Sequence, residues 1–223
     1  NPTLVDVLPP VAEWYYEHMT PDDSLFAFLY MNAPVYASRF REVDRERIWT
    51  EYVSWLDAYR RRMDMDGIEL YCGGTSGASA STEVLKRFTT GMPSLAYVLT
   101  DLGRHADTTP ATANLVLDGK PVFHTLTSFR VWTRPEDVLK RTMESENAWL
   151  LDEILRNTPP TRPGFMSAMA ISWSYYPAWL KDLQSRLPSE YVVVSPGELA
   201  RLYREALTRG GETADPALGP VGR

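Results

Sequence analysis

Short apolar runs bounded by turn residues alternate with amphipathic stretches along nearly the whole chain, and this alternation restricts the fold more than any other feature. SLFAFLYM (24–31), GIELYC (67–72), SLAYVLT (94–100), PVFHT (121–125), FMSAMAISW (165–173) and YVVV (191–194) hold only one charged residue between them, Glu69. Runs of this length and polarity read as strands buried on both faces, as parallel strands are. Between them lie stretches of helical spacing at 5–19, 44–65, 82–88, 133–155, 175–187 and 196–209. In the first, Val11, Trp14, Tyr15 and Met19 form the expected inner face; in the second, Ile48, Tyr52, Leu56, Tyr59 and Met63 do. Thr133-x-x-Glu136 and Ser195-Pro196-Gly197-Glu198 carry the signature of a helix start.

Alternation of this kind predicts parallel βαβ units and an α/β fold. The expected architecture is a parallel (β/α) barrel of TIM type. Six strands fall short of a complete (β/α)₈ barrel, so the remaining units are expected upstream of Asn1 or on a partner chain. An open doubly wound sheet is the alternative. One barrel-like domain is expected over 1–209, and the segment 210–223, rich in Pro, Gly and Ala without periodicity, reads as a disordered tail.

Charge narrows the range of partners. The chain carries 23 Lys and Arg against 29 Asp and Glu, a net −6, with the two signs interspersed, so a polyanion would be repelled more than attracted. Nucleic acid is not an expected partner. No apolar run approaches the ~20 residues that span a bilayer, and NPTLVDVLPP lacks the basic and apolar regions of a secretory signal. No membrane association is expected. The single cysteine, Cys72, has no internal partner for a disulfide and reads as a small buried hydrophobe.

In a parallel βα architecture, side chains just past the C-terminal ends of the strands converge on one rim. That rule selects Tyr30 and Asn32, Cys72 with Gly73 and Gly74, Asp101 with Arg104 and His105, His124, Ser172 with Trp173, and Ser195. Asp101 is the best acid of the set. His105 and His124 complete the candidate catalytic group, while Tyr30, Asn32, Arg104, Trp173 and Tyr175 are candidate substrate contacts. Asp101, His105 and His124 would also suit a metal, as one carboxylate and two imidazoles are a common hydrolytic ligand set. Packing of His124 within its strand is the favoured reading over that one, and no cofactor is expected.

Other motifs fail on spacing. The loop GGTSGASAS lacks the Gly-Lys-Ser/Thr ending of a P-loop, and Gly74-Thr75-Ser76-Gly77 does not match a Gly-x-Ser-x-Gly elbow. Trp173, Tyr175, Tyr176 and Trp132 could line a sugar cleft, although aromatics at this density are more often core.

Several segments together resemble one family. LPPVAEWYYEHMTPDDSLFAFLYMNAPVY, GKPVFHTL, RPGFMSAMAISW and LPSEYVVVSPGELARLYRE follow, in order, the pattern of the C-terminal domain of the GxGYxP glycoside-hydrolase-like family, known mostly from bacterial genomes. The resemblance covers residues 4–206. It departs after the first strand, where MNAPVYAS has no Gly-x-Gly and Tyr36 alone stands in for the motif's aromatic, and an Asp-Gly-Asp-Asn-like element is also absent. The resemblance implies a carbohydrate substrate or ligand and an extracellular or periplasmic setting.

Glycoside hydrolysis normally needs two carboxyl groups flanking the scissile bond. Asp101 supplies one. For the second, Glu69 lies inside its strand, Asp22 and Asp23 precede theirs and belong to the opposite rim, and Asp107 follows in the loop. Three hypotheses therefore stand: a carbohydrate-active domain using carboxylate acid/base chemistry, a non-catalytic sugar-binding or structural barrel fragment that assembles with a partner chain or upstream segment, and a metal-dependent hydrolase.

Overall fold

The computed structural model describes residues 9–21, 23–30, 42–71, 82–100, 114–127, 142–159, 162–169 and 176–209. In chain order these form α1 (Pro9–His18), β1 (Phe26–Tyr30), α2 (Glu42–Arg62), β2 (Gly67–Tyr71), α3 (Thr82–Gly91), β3 (Tyr97–Thr100), β4 (Leu115–Leu117), β5 (Lys120–Thr127), α4 (Met143–Asn157), β6 (Ser167–Met169), α5 (Pro177–Arg186) and α6 (Pro196–Arg209). The sheet runs β1-β2-β3-β5-β4, with β6 on the C-terminal part of β5. All neighbours are parallel except β4 and β5. The alternation in the sequence thus builds the α/β fold with a parallel sheet that it predicts. Among the described residues the strands do not close into a barrel.

Side-chain alternation along the strands decides what each face meets. Ile68 and Leu70 of β2, Val98 of β3 and Val122 of β5 point to one face, where they bury Trp49, Val53 and Leu56 of α2 and Leu85 and Phe88 of α3. Tyr97, Leu99 and Phe123 point to the other, and there α6 lays Ala200 and Tyr203 against them. Phe123 and Tyr203 meet edge to face with ring centroids 5.4 Å apart. Helices therefore cover both faces, which is why β3 presents apolar side chains to both, while β2 places the buried Glu69 on its α6 face. A third cluster joins Leu126 of β5 to Leu150 and Ile154 of α4 and Leu183 of α5. Each fully buried side chain of this size contributes about 1.5–3 kcal/mol through removal from water.

Two close approaches fix the packing. Gly67 pairs with Tyr97 across β2 and β3, and a Cβ at Gly67 would lie 2.1 Å from the Tyr97 ring. At Gly91, a Cβ would lie 2.4 Å from Val53, so glycine lets α3 approach α2. Arg60, 3 % exposed, secures the end of α2 by donating to Asp57, Ser94 and the Met65 carbonyl.

The structure revises four sequence expectations. Leu115–Leu117, not read as a strand, pairs with β5 through the turn at Asp118 and Gly119, whose φ values of 50° and 74° suit a two-residue hairpin. The helix expected over 133–155 starts at Met143: Thr142 is extended (φ −116°, ψ 158°) and forms a capping box with Ser145, while Thr133 and Glu136 lie outside the described residues. YVVV joins no sheet among the described residues, and Val192 and Val193 are 81 % and 58 % exposed. A β-branched run favours extended backbone, but a strand also needs a neighbour with free hydrogen-bonding groups, which local sequence does not reveal. Finally, α1 buries none of its residues, so Val11, Trp14 and Tyr15 face outward. It is tied to the turn after α2 through the Tyr16 hydroxyl, which donates to the Met63 carbonyl.

Candidate functional site

Because β1, β2, β3 and β5 are parallel, their C-terminal ends share one rim. Tyr30 closes β1 opposite Tyr71, the residue before Cys72. Thr100 closes β3, is fully buried, and is the register partner of His124. The strand that leads into Asp101 is therefore the immediate neighbour of the strand carrying His124. Two positions on either side of His124, Val122 and Leu126 face the helices α2 to α4, so the partly buried imidazole shares that face. Asn32, Asp101, Arg104, His105, Trp173 and Tyr175 lie outside the described residues, as do Cys72, Gly73, Gly74, Asp107 and Ser172.

Of the acids weighed as a second carboxyl, Asp22 and Asp107 lie outside the described residues. Glu69 is 5 % exposed in the middle of β2 and shares the face of Gly67, against the α6 layer. Asp23 precedes β1 on the opposite rim, where the Thr20 amide and hydroxyl each donate to it at 2.8 Å; the backbone bond, followed by the hydroxyl, holds its carboxyl below the ordinary range. Neither belongs to the candidate rim.

One acid on the rim side escaped the sequence reading. Glu146 is 2 % exposed in the first turn of α4, followed by the fully buried Asn147. Leu150 and Ile154 anchor α4 on Leu126, and Glu146 sits four residues before Leu150 on the same stripe. Since α4 follows β5, its beginning lies toward the C-terminal ends of the strands. Asn147 donates to the Trp179 carbonyl (2.9 Å) and to Asp182 (2.7 Å), which locks α4 to α5. The Asn147 bond first, then Arg186, keeps the Asp182 carboxyl below its ordinary range. The signal was present: in the ladder 146, 150, 154, Glu146 is the one charged residue on an apolar stripe.

Among the described residues no three His, Cys, Asp or Glu side chains converge as a metal site would require, and no helix is long and apolar enough to cross a membrane. The topology defines an α/β domain built on a parallel sheet. A family model, the GxGYxYP putative glycoside hydrolase C-terminal domain, matches residues 1–204. The chain belongs to that family. Comparison with curated proteins and with solved structures returned no match.

Proposed function

We propose that this domain acts on carbohydrate, hydrolysing a glycosidic bond through carboxyl groups at the C-terminal rim of its parallel sheet. The observation that carries this reading is the family match over residues 1–204. The sheet supports it by setting β3, which leads into Asp101, against the strand of His124. In this mechanism Asp101 protonates the departing glycosidic oxygen, and a second carboxylate serves as nucleophile or as base for water. Glu146 is the described acid best placed for that second role, since it is buried on the rim side of α4. His105 and His124 would orient or exchange protons with these groups, and Tyr30, Asn32, Arg104, Trp173 and Tyr175 would contact the sugar.

The α6 layer supports an open doubly wound sheet over a barrel, because a barrel interior filled by strand side chains leaves no room for a helix. A second functional reading has its own support. The outward aromatics of α1 and the exposed valines of 191–194 suit a fragment that completes its fold against a partner chain or upstream segment and binds sugar without cleaving it.

Turnover of a panel of aryl glycosides tests the choice. Asp101→Asn and Glu146→Gln should each lower kcat about 10²–10⁴-fold with melting temperature retained. An inactive wild-type chain on the whole panel selects the second reading, and full activity in Glu146→Gln alone removes Glu146 from the mechanism.

A further inference from the structure

The outer surfaces of α2 and α3 enclose a groove of about 620 Å³, within the range of small-ligand sites of about 300–1,000 Å³. It lies at the far end of the sheet from Thr100 and His124. Its α3 wall ends at Thr90, which donates to Asp118 in the turn before β5, and its α2 wall ends at Arg61, just ahead of β2. Trp49 and Val53 form the floor, closed where Gly91 lets the helices meet.

The walls are cationic although the chain is acidic overall. Arg87 is held rigidly: it donates twice to Glu46, at 2.8 and 2.7 Å, and its guanidinium lies 5.4 Å from the centre of the Trp49 ring. Opposite, Arg61 pairs through its Nε with Asp57 at 3.0 Å, and no second carboxylate partner of Arg61 occurs among the described residues. Lys86 has no carboxylate within ion-pair distance among the described residues. Asp57 is balanced by the buried Arg60 as well as by Arg61, so the groove keeps an excess of positive charge.

We propose that this groove binds a carboxylate-bearing sugar, at a site separate from the strand-end rim. Cations on two facing walls, spread over a volume far larger than an inorganic anion, fit an extended ligand carrying carboxylates at more than one position along its length. The hydroxyl of Ser54 and the carboxylate of Asp57 on the same walls fit the remaining ligand hydroxyls. The site does not depend on the rim being catalytic.

Isothermal titration of the full chain tests this with a trigalacturonate, its neutral galactose counterpart and inorganic phosphate. The trigalacturonate should bind at one site, with the neutral sugar and phosphate weaker by about tenfold or more. Lys86→Glu should weaken trigalacturonate by about tenfold or more through charge reversal, and Ser54→Trp should abolish binding by filling the groove. Both positions are exposed, and an unchanged melting temperature confirms that the variants fold. Absence of trigalacturonate binding, equal binding of the neutral sugar or of phosphate, or unchanged affinity in either variant overturns the proposal.

Discussion

At Gly67 the ring of Tyr97 occupies the space where any side chain would begin, 2.1 Å from an ideal Cβ. Tyr97 is itself fully buried and cannot swing into solvent without opening the sheet. Gly67→Ala is therefore expected to destabilise the domain by about 1–3 kcal/mol, measured by urea unfolding. Asp118 makes a prediction of a different kind. Hydrogen bonds from Thr89 and then Thr90, assisted by Lys120 and Lys86, hold its carboxyl below the ordinary range. A lowered folded-state value stabilises the charged form, so the contribution is complete above the unfolded carboxyl's range and disappears as pH falls through the lowered value. Melting temperatures of wild type and Asp118→Asn should converge over that acidic window; a constant gap would contradict the assignment.

Among the elements, legibility depended on whether the deciding interaction was local. The apolar run of β1 and the helical period of α2 are properties of consecutive residues, and both elements form close to the expected positions. The start of α6 was also legible, since Ser195 accepts from the Glu198 amide at 3.3 Å. The Glu198 side chain, however, forms a pair with Arg201 instead of returning to the cap. The expected helix was not continuous through Thr142, whose extended backbone opens α4 with a capping box shared with Ser145, while Thr133-x-x-Glu136 lies outside the described residues. Thr142→Ala should cost about 1 kcal/mol in chemical denaturation, and no loss would place the helix start elsewhere. YVVV failed as a strand for a non-local reason, the lack of a ladder neighbour among the described residues. Because Val193 is exposed, Val193→Lys should change stability by less than about 0.5 kcal/mol. A much larger loss would mean that the segment is buried in a sheet.

The molecule as a whole joins a parallel sheet, covered by helices on both faces, to a rim where β3 ends beside His124 of β5, which runs on to Thr127. Strand order was not legible in the sequence, since an α/β alternation is compatible with both a closed barrel and an open sheet; the contact between α6 and Phe123 bears on that choice and is long-range. Of the candidate site, the pairing of Thr100 with His124 follows from which strands are neighbours, and Glu146 emerges only once α4 is seated on Leu126. The central claim is that carboxyl groups at this rim cleave glycosidic bonds. The measurement that addresses it most directly is turnover of aryl glycosides by the wild-type chain and Asp101→Asn, with both melting temperatures recorded. The account predicts measurable wild-type hydrolysis that falls about 10²–10⁴-fold in the variant at unchanged stability. Hydrolysis retained in full by Asp101→Asn would contradict it.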